Sequence, residues 1–215
     1  FGLVALAMLS AVMNLPDASV AVAPVSLGIN VIILWRLWRH FRWARVWPMI
    51  AGCLAGVPVG VGFLTRAEQT VLNYVLAGLL IAAGVQAIVP HLNRRRWHPW
   101  LLGLPCGLLS GALAGAFNTG GPPAVAFVSA QNFDRFRYSA TLQVALGVGV
   151  TCRIVLLAAK GMFTRPLLAV SLGGVVFAVV GAALGLLILK RIPNRTLRLA
   201  TAVLLLLLGV WRLVG

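Results

Sequence analysis

Acidic side chains are almost missing. Asp17, Glu68 and Asp134 are the whole complement of a 215-residue chain. With three acids and three histidines, there is no carboxylate pair for general acid–base work and no cluster with metal-ligand spacing. Neither HExxH nor GxSxG occurs. Cys53, Cys106 and Cys152 have no paired spacing and lie in apolar runs, so they read as small buried hydrophobes, not as a disulfide or metal framework. No catalytic residue, metal or cofactor is assigned, and an enzyme is not expected. A signal peptide is not visible either: no charged region followed by a cleavage pattern opens the chain.

Charge as a whole is scarce. Only 10% of residues carry it, against about 25% in a soluble domain. What fills the chain instead is apolar: 61% hydrophobic residues, with a mean hydropathy of +1.00. Apolar segments fall at about 1–13, 18–38, 46–64, 70–90, 99–117, 122–131, 138–159, 166–189 and 196–214. Most approach the roughly 20 residues that a helix needs to cross a bilayer, while the first and sixth are about half a span. Helix is the default, because backbone in lipid must satisfy its own hydrogen bonds. The fold expected is an all-α polytopic membrane protein.

Eighteen basic residues against three acidic ones give +15. In a soluble domain that balance points to nucleic acid. Here the basic residues sit between apolar runs, so they read as orientation signals and lipid-headgroup contacts. His40, His91 and His98 lie in the same basic loops. Trp35, Trp38, Trp43, Trp47, Trp97 and Trp100 lie at expected membrane edges, as an aromatic belt does.

The chain repeats itself. Shifted by 119 residues, GLVALAMLSA (2–11) falls on GPPAVAFVSA (121–130), pairing Gly2 with Gly121, Ser10 with Ser129 and Gly28 with Gly147. After a six-residue gap, GVPVG (56–60) falls on GAALG (181–185), and Gly84-Val85 on Gly209-Val210. Two homologous halves follow: a first repeat over 1–90, a basic linker over 91–98 and a second repeat over 99–215. Phe1-Gly2 reads as the tail of the first half's own glycine break. The mate of the 99–117 helix is then expected upstream of Phe1, needing at least ~20 further residues.

Placing the 36–45 loop in the cytoplasm puts 13 basic residues inside and 4 outside, with Arg153 in the membrane. That bias is what the positive-inside rule requires. Matched loops then fall on opposite sides: 36–45 inside against 160–165 outside, and 65–69 outside against 190–198 inside. The expectation is an inverted repeat, an architecture of secondary transporters.

One stretch interrupts the apolar pattern: GAFNTGGPP, residues 115–123. Pro122 and Pro123 suit the first turn of a helix. Gly120 and Gly121 allow a sharp turn and close approach of a ligand to the backbone. Asn118 and Thr119 can cap or coordinate. A helix starting inside the membrane aims its positive end and its free N–H groups, those of Gly121, Ala124 and Val125, at the break. The arrangement reads as an anion site built from backbone. A plain kink or re-entrant turn is the competing reading, and the relic break at Gly2 favours the site. Arg153, deep in 138–159, is the second signal: an arginine there costs roughly 2.5–3.5 kcal/mol, and no intramembrane acid is available to it. An anion held by two parallel hydrogen bonds would supply the charge; snorkelling or pairing with carbonyls is the alternative. Gln143 and Asn30 are further candidates at nearby depth, as are Thr141 and Thr151, although each equally suits helix–helix hydrogen bonding. Gly56-x-x-x-Gly60 and Gly181-x-x-x-Gly185 allow close helix packing.

On these residues the chain resembles the TauE/SafE sulfite exporters, also called TSUP permeases. The stretch GLLSGALAGAFNTGGPPAVAFVSAQNFDRFRYSATLQVALGVGVTCRIVLLAAKG resembles that family's second glycine motif and the two segments after it. LGLLILKRIPNRTLRLATAVLLLLLGV resembles its closing helix pair, and NLPDASVAVAPVSLGINVIILWRLWRH the matching part of the first half. The resemblance implies a multi-pass permease of the bacterial inner membrane that exports a small anion: sulfite, or an organosulfonate such as sulfoacetate. It also implies substrate contacts at GGPP and Arg153. The partners expected are that anion and membrane lipids, with no nucleic acid, and a homodimer as the assembly. Rival expectations are uptake of a different small anion, a non-transporting scaffold or assembly factor, and a membrane enzyme acting on anionic lipid.

Overall fold

A computed structural model describes residues 2–37, 46–88, 99–131, 133–164, 167, 171, 173–175 and 194–214. The expected linker 91–98, the basic stretch 38–45 and most of the segment 166–189, with its Gly181 and Gly185, lie outside the described residues. So do His40, His91 and His98.

Among the described residues every regular element is a helix. They are α1 (Gly2–Leu9), α2 (Leu15–Leu37), α3 (Trp47–Arg66), α4 (Gln69–Ile88), α5 (Pro99–Phe117), α6 (Gly121–Ala130), α7 (Arg135–Ala159) and α8 (Asn194–Val214). Three stretches of described helix are long and apolar enough to cross a membrane: Leu15–Trp35, Trp47–Arg66 and Phe136–Ala159. Apolar side chains also cover much of the outside, with Val12 at 85% and Trp35 at 86% exposure. Such a perimeter suits a lipid solvent as apolar as leucine itself. α7 starts three residues before its apolar run does. Asp134 takes the position before the helix with extended backbone, and its carboxylate pairs with Arg137 Nε at 3.0 Å, so a polar turn extends the helix beyond its apolar part.

The closest helix pair is α3 with α5, and glycine makes it so. A Cβ on Gly52, Gly56 or Gly60 would fall on the carbonyl oxygens of Leu104, Leu108 and Ala112 in turn. From the other side, a Cβ on Gly107, Gly111 or Gly115 would fall on those of Met49, Cys53 and Val57. Glycine every fourth residue lines one face of each helix, and the two bare faces lie backbone to backbone. In lipid, where apolar burial drives little, such van der Waals contact is what holds helices together.

α4 and α8 meet at a second glycine pair. Gly84 faces Leu206 and the Ala202 carbonyl, and Gly209 faces Ile81 and the Ala77 carbonyl. The contact is reciprocal: the residues of α4 shifted by 125 are those of α8. As the α4 position falls from 84 to 81, its partner rises from 206 to 209, so the helices run antiparallel. α2 and α7 do the same, with Ser19 against Arg153 and Asn30 against Gly147.

α6 is only 10 residues long. It is fixed by a cluster of Ala124, Phe127 and Val128 against Met49 of α3 and Ala145 of α7. This anchoring holds the start of α6 under the end of α5.

Candidate functional site: the α5–α6 break

α5 stops at Phe117 because the next residue turns left-handed. Asn118 has φ 58, a conformation that asparagine tolerates better than most residues and that often ends helices. Its amide donates to the Ala114 carbonyl at 3.0 Å, and the Thr119 amide to Leu113 at 3.3 Å, so these two carbonyls near the end of α5 are satisfied. Gly120 is then tucked against α5. Ser110 Oγ donates to its carbonyl at 2.6 Å, and a Cβ there would come within 2.7 Å of the Ser110 carbonyl oxygen. α6 begins at Gly121, with Pro122 and Pro123 in its first turn.

The break opens on a cavity of about 420 Å³. Gly2 and Val4 of α1 contribute to one wall, and Ser26, Ile29, Asn30 and Ile33 of α2 to another. The four α2 residues share one helical face by their spacing. Asn118, Thr119, Gly121 and Pro122 supply the break itself, Gln143, Leu146 and Val150 a face of α7, and Leu205 a part of α8. α6 therefore starts at this cavity, and Gly2 of α1 lies beside the same loop: a Cβ on Gly2 would lie 2.9 Å from the Asn118 carbonyl oxygen.

Of the residues singled out from sequence, Gly2, Asn30, Asn118, Thr119, Gly121, Pro122 and Gln143 line this cavity. Gly120, Ala124 and Arg153 do not. Gly120 is occupied against Ser110, and Ala124 is fully buried in the cluster that anchors α6. Arg153 lies on the same face of α7, three positions beyond Val150. It is fully buried, and its Nη2 donates to Ser19 Oγ. Its Nε and Nη1 have no partner in the protein.

No charged side chain of the described residues lines the cavity. Its polar groups are carboxamides, hydroxyls and backbone. Asn118 Nδ2 donates to Ser26 Oγ at 2.6 Å, and Asn30 Nδ2 to the Ser26 carbonyl at 2.8 Å. Asn30 Oδ1, Asn118 Oδ1 and Thr119 Oγ1 are buried without a partner in the protein. Ser26 was not singled out from sequence, although its place one turn before Asn30 was a signal for it. Ser19 and Ser110 gave none, because their partners lie on other helices. Among the described residues no three of His, Cys, Asp and Glu gather in one place.

The arrangement is a pocket at the start of α6, lined among the described residues by amide, hydroxyl, backbone and apolar groups. A family model described as sulfite exporter TauE/SafE matches residues 1–212. The chain belongs to this family. Neither the curated proteins nor the solved structures compared with it include a match. TauE/SafE proteins are membrane transporters of sulfur anions, not enzymes. Membership agrees with the helical, apolar architecture and makes transport the frame for this TauE/SafE cavity.

Proposed function

We propose that the protein is a secondary transporter that exports a small anion, sulfite first and a short organosulfonate such as sulfoacetate second, from a bacterial cytoplasm across the inner membrane. The observation that carries this reading is the convergence of the α6 start, Asn30, Asn118, Thr119 and Gln143 on one cavity. Helix starts favour negative charge, and amide and hydroxyl donors replace the water that an anion gives up. Arg153 acts from one turn below the wall, as a buried charge and not as a direct contact.

The antiparallel pairing of α4 with α8 and of α2 with α7 supports an inverted repeat. Mates related by an axis in the membrane plane run antiparallel, whereas mates related by an axis along the normal run parallel. Residues from before and after the 91–98 stretch line the cavity, and in this reading rocking of one half on the other exposes it to each side in turn.

Flux into proteoliposomes tests the reading, with sulfite, sulfate, sulfoacetate and acetate compared at equal concentration. Sulfite or sulfoacetate is expected to move fastest. Gly121→Leu, which fills the cavity, is expected to stop it, and Arg153→Ala to weaken it by roughly 2- to 10-fold, through the loss of a nearby buried charge and not of a contact. Equal flux in the native protein and both variants would remove the proposed site.

A further inference from the structure

The orientation of Asn30 is fixed by its neighbour. Its Nδ2 meets the Ser26 carbonyl, which can only accept, so the amide nitrogen must point there and Oδ1 away. Asn118 turns its own Nδ2 to the Ser26 hydroxyl. Ser26 thus braces both carboxamides, and each keeps a buried oxygen without a partner in the protein. Asn118 is 8% exposed and Thr119 7%. The cavity therefore offers acceptors as well as donors, and its walls carry no charge among the described residues.

A bare dianion fits such a cavity badly. It brings only acceptor oxygens, which the carboxamide oxygens repel, and two charges where, among the described residues, one buried cation, Arg153, lies nearby. An oxyanion that keeps one proton fits better. Its O–H donates to Asn30 Oδ1, its remaining oxygens accept from amide and hydroxyl donors, and its single charge matches a single guanidinium. We propose that the cavity selects the singly protonated form of its oxyanion, so that hydrogen sulfite and not sulfite is carried, one proton crossing with each anion. The proposal rests on the transport reading above and specifies the species that the same site takes. It requires no acidic side chain in the membrane, and none of the three acids lines the cavity.

The pH dependence then belongs to the substrate. The titratable or charged positions on the surrounding helices are Asp17 and Arg36 on α2, Tyr74 on α4, Cys106 on α5, Arg135, Arg137, Tyr138, Cys152 and Arg153 on α7, and Arg195, Arg198 and Arg212 on α8. Of those whose side chains are described, Asp17, Tyr74, Cys106, Arg137, Tyr138, Cys152 and Arg153, none is in the cavity wall, and α1 and α6 contribute none.

The test is protein-dependent flux into proteoliposomes over a range of pH, with protein-free vesicles subtracted. The probes are sulfite, methanesulfonate and sulfate. Methanesulfonate has a similar head and one charge but no O–H, and does not titrate. The sulfite rate is expected to fall about tenfold per pH unit above the second pKa of its acid, while methanesulfonate stays slow and flat and sulfate is excluded. Asn30→Leu should narrow the preference for hydrogen sulfite over methanesulfonate by about fivefold or more. A sulfite rate that holds or rises as the dianion accumulates overturns the proposal, as does native methanesulfonate flux equal to that of hydrogen sulfite. A methanesulfonate rate that follows pH as sulfite does assigns the titration to the protein and overturns it too. No protein-dependent flux of any probe removes the transport reading itself. The native pH profile stands even if Asn30→Leu does not fold.

Discussion

Arg153 on α7 and Ser19 on α2 meet across 134 positions of sequence, Nη2 donating to Oγ. Ser19 donates in turn to the Ala116 carbonyl of α5 at 2.9 Å. Ala116 lies in the last turn of α5, where the break at Asn118 leaves carbonyls without the next turn's amides. The negative end of α5 and a buried guanidinium face one another through one hydroxyl, a favourable placement for a cation. Three helices are tied together directly beneath the break.

Ser19→Ala removes the guanidinium's only protein partner among the described residues and leaves a buried charge uncompensated. A cost of about 1.5–3 kcal/mol is expected, read as a lower midpoint of thermal unfolding in detergent. Arg153→Met should cost less, because it removes the charge instead of stranding it. The reverse order would show that the arginine, and not the bond to Ser19, braces the break.

Helix positions were legible in the sequence because lipid imposes length and apolarity on each span: α3 and α5 sit within about two residues of the apolar runs 46–64 and 99–117. The start of α6 was legible because proline suits the first turn of a helix, whereas the left-handed turn of Asn118 that ends α5 had no marker beyond a residue able to cap. Arg153 was legible as buried but not as bonded, since nothing local marks Ser19 as its partner. The α3–α5 seam was half legible. Gly56 and Gly60 announce close packing by their spacing, while Gly103, Gly107, Gly111 and Gly115, one in four along α5, blend into an apolar run. Only facing backbones reveal that the two stripes serve one contact.

That seam is predicted to be intolerant of one methyl group. Gly56→Ala and Gly111→Ala each drive a Cβ into a facing carbonyl, with no flexible side chain to give way, and overpacking of about 1–3 kcal/mol or more is expected. Gly62→Ala and Gly78→Ala are the controls. Their Cβ atoms meet nothing within 4 Å, and the gain in helix propensity should leave stability unchanged or raised by up to about 1 kcal/mol. Detergent melting of the four variants checks the contrast; equal losses would mean that the helices do not touch there.

Two adjacent glycines in the break should separate folding from flux. Gly120→Ala presses on Ser110 and is expected to lower the melting point. At Gly121 a Cβ meets nothing within 4 Å, and the residue lines the cavity. Gly121→Leu should therefore melt within about 1 kcal/mol of the native protein yet abolish anion flux. Flux that survives Gly121→Leu in a folded protein would place the substrate elsewhere.

The chain ends of α3 and α7 give a test of topology. Lys160 Nζ donates to Thr65 Oγ1 at 2.8 Å, so α3 ends and α7 ends on the same face. α7 begins at Arg135, 25 residues earlier, which at about 1.5 Å per residue is a full bilayer away. Basic residues are few at the shared end and many at the other, so the shared end should face the periplasm. In a background with Cys53, Cys106 and Cys152 replaced by alanine, Glu68→Cys and Thr164→Cys should react with an impermeant maleimide on intact cells. Asp134→Cys should react only after the membrane is opened. Because residues 65–69 and 160–165 occupy different places in their respective repeats, labelling of both from one side is what an inverted pair of halves requires. Labelling of Glu68→Cys and Thr164→Cys from opposite sides would dismantle both the pairing of these helices and the inverted repeat built on it.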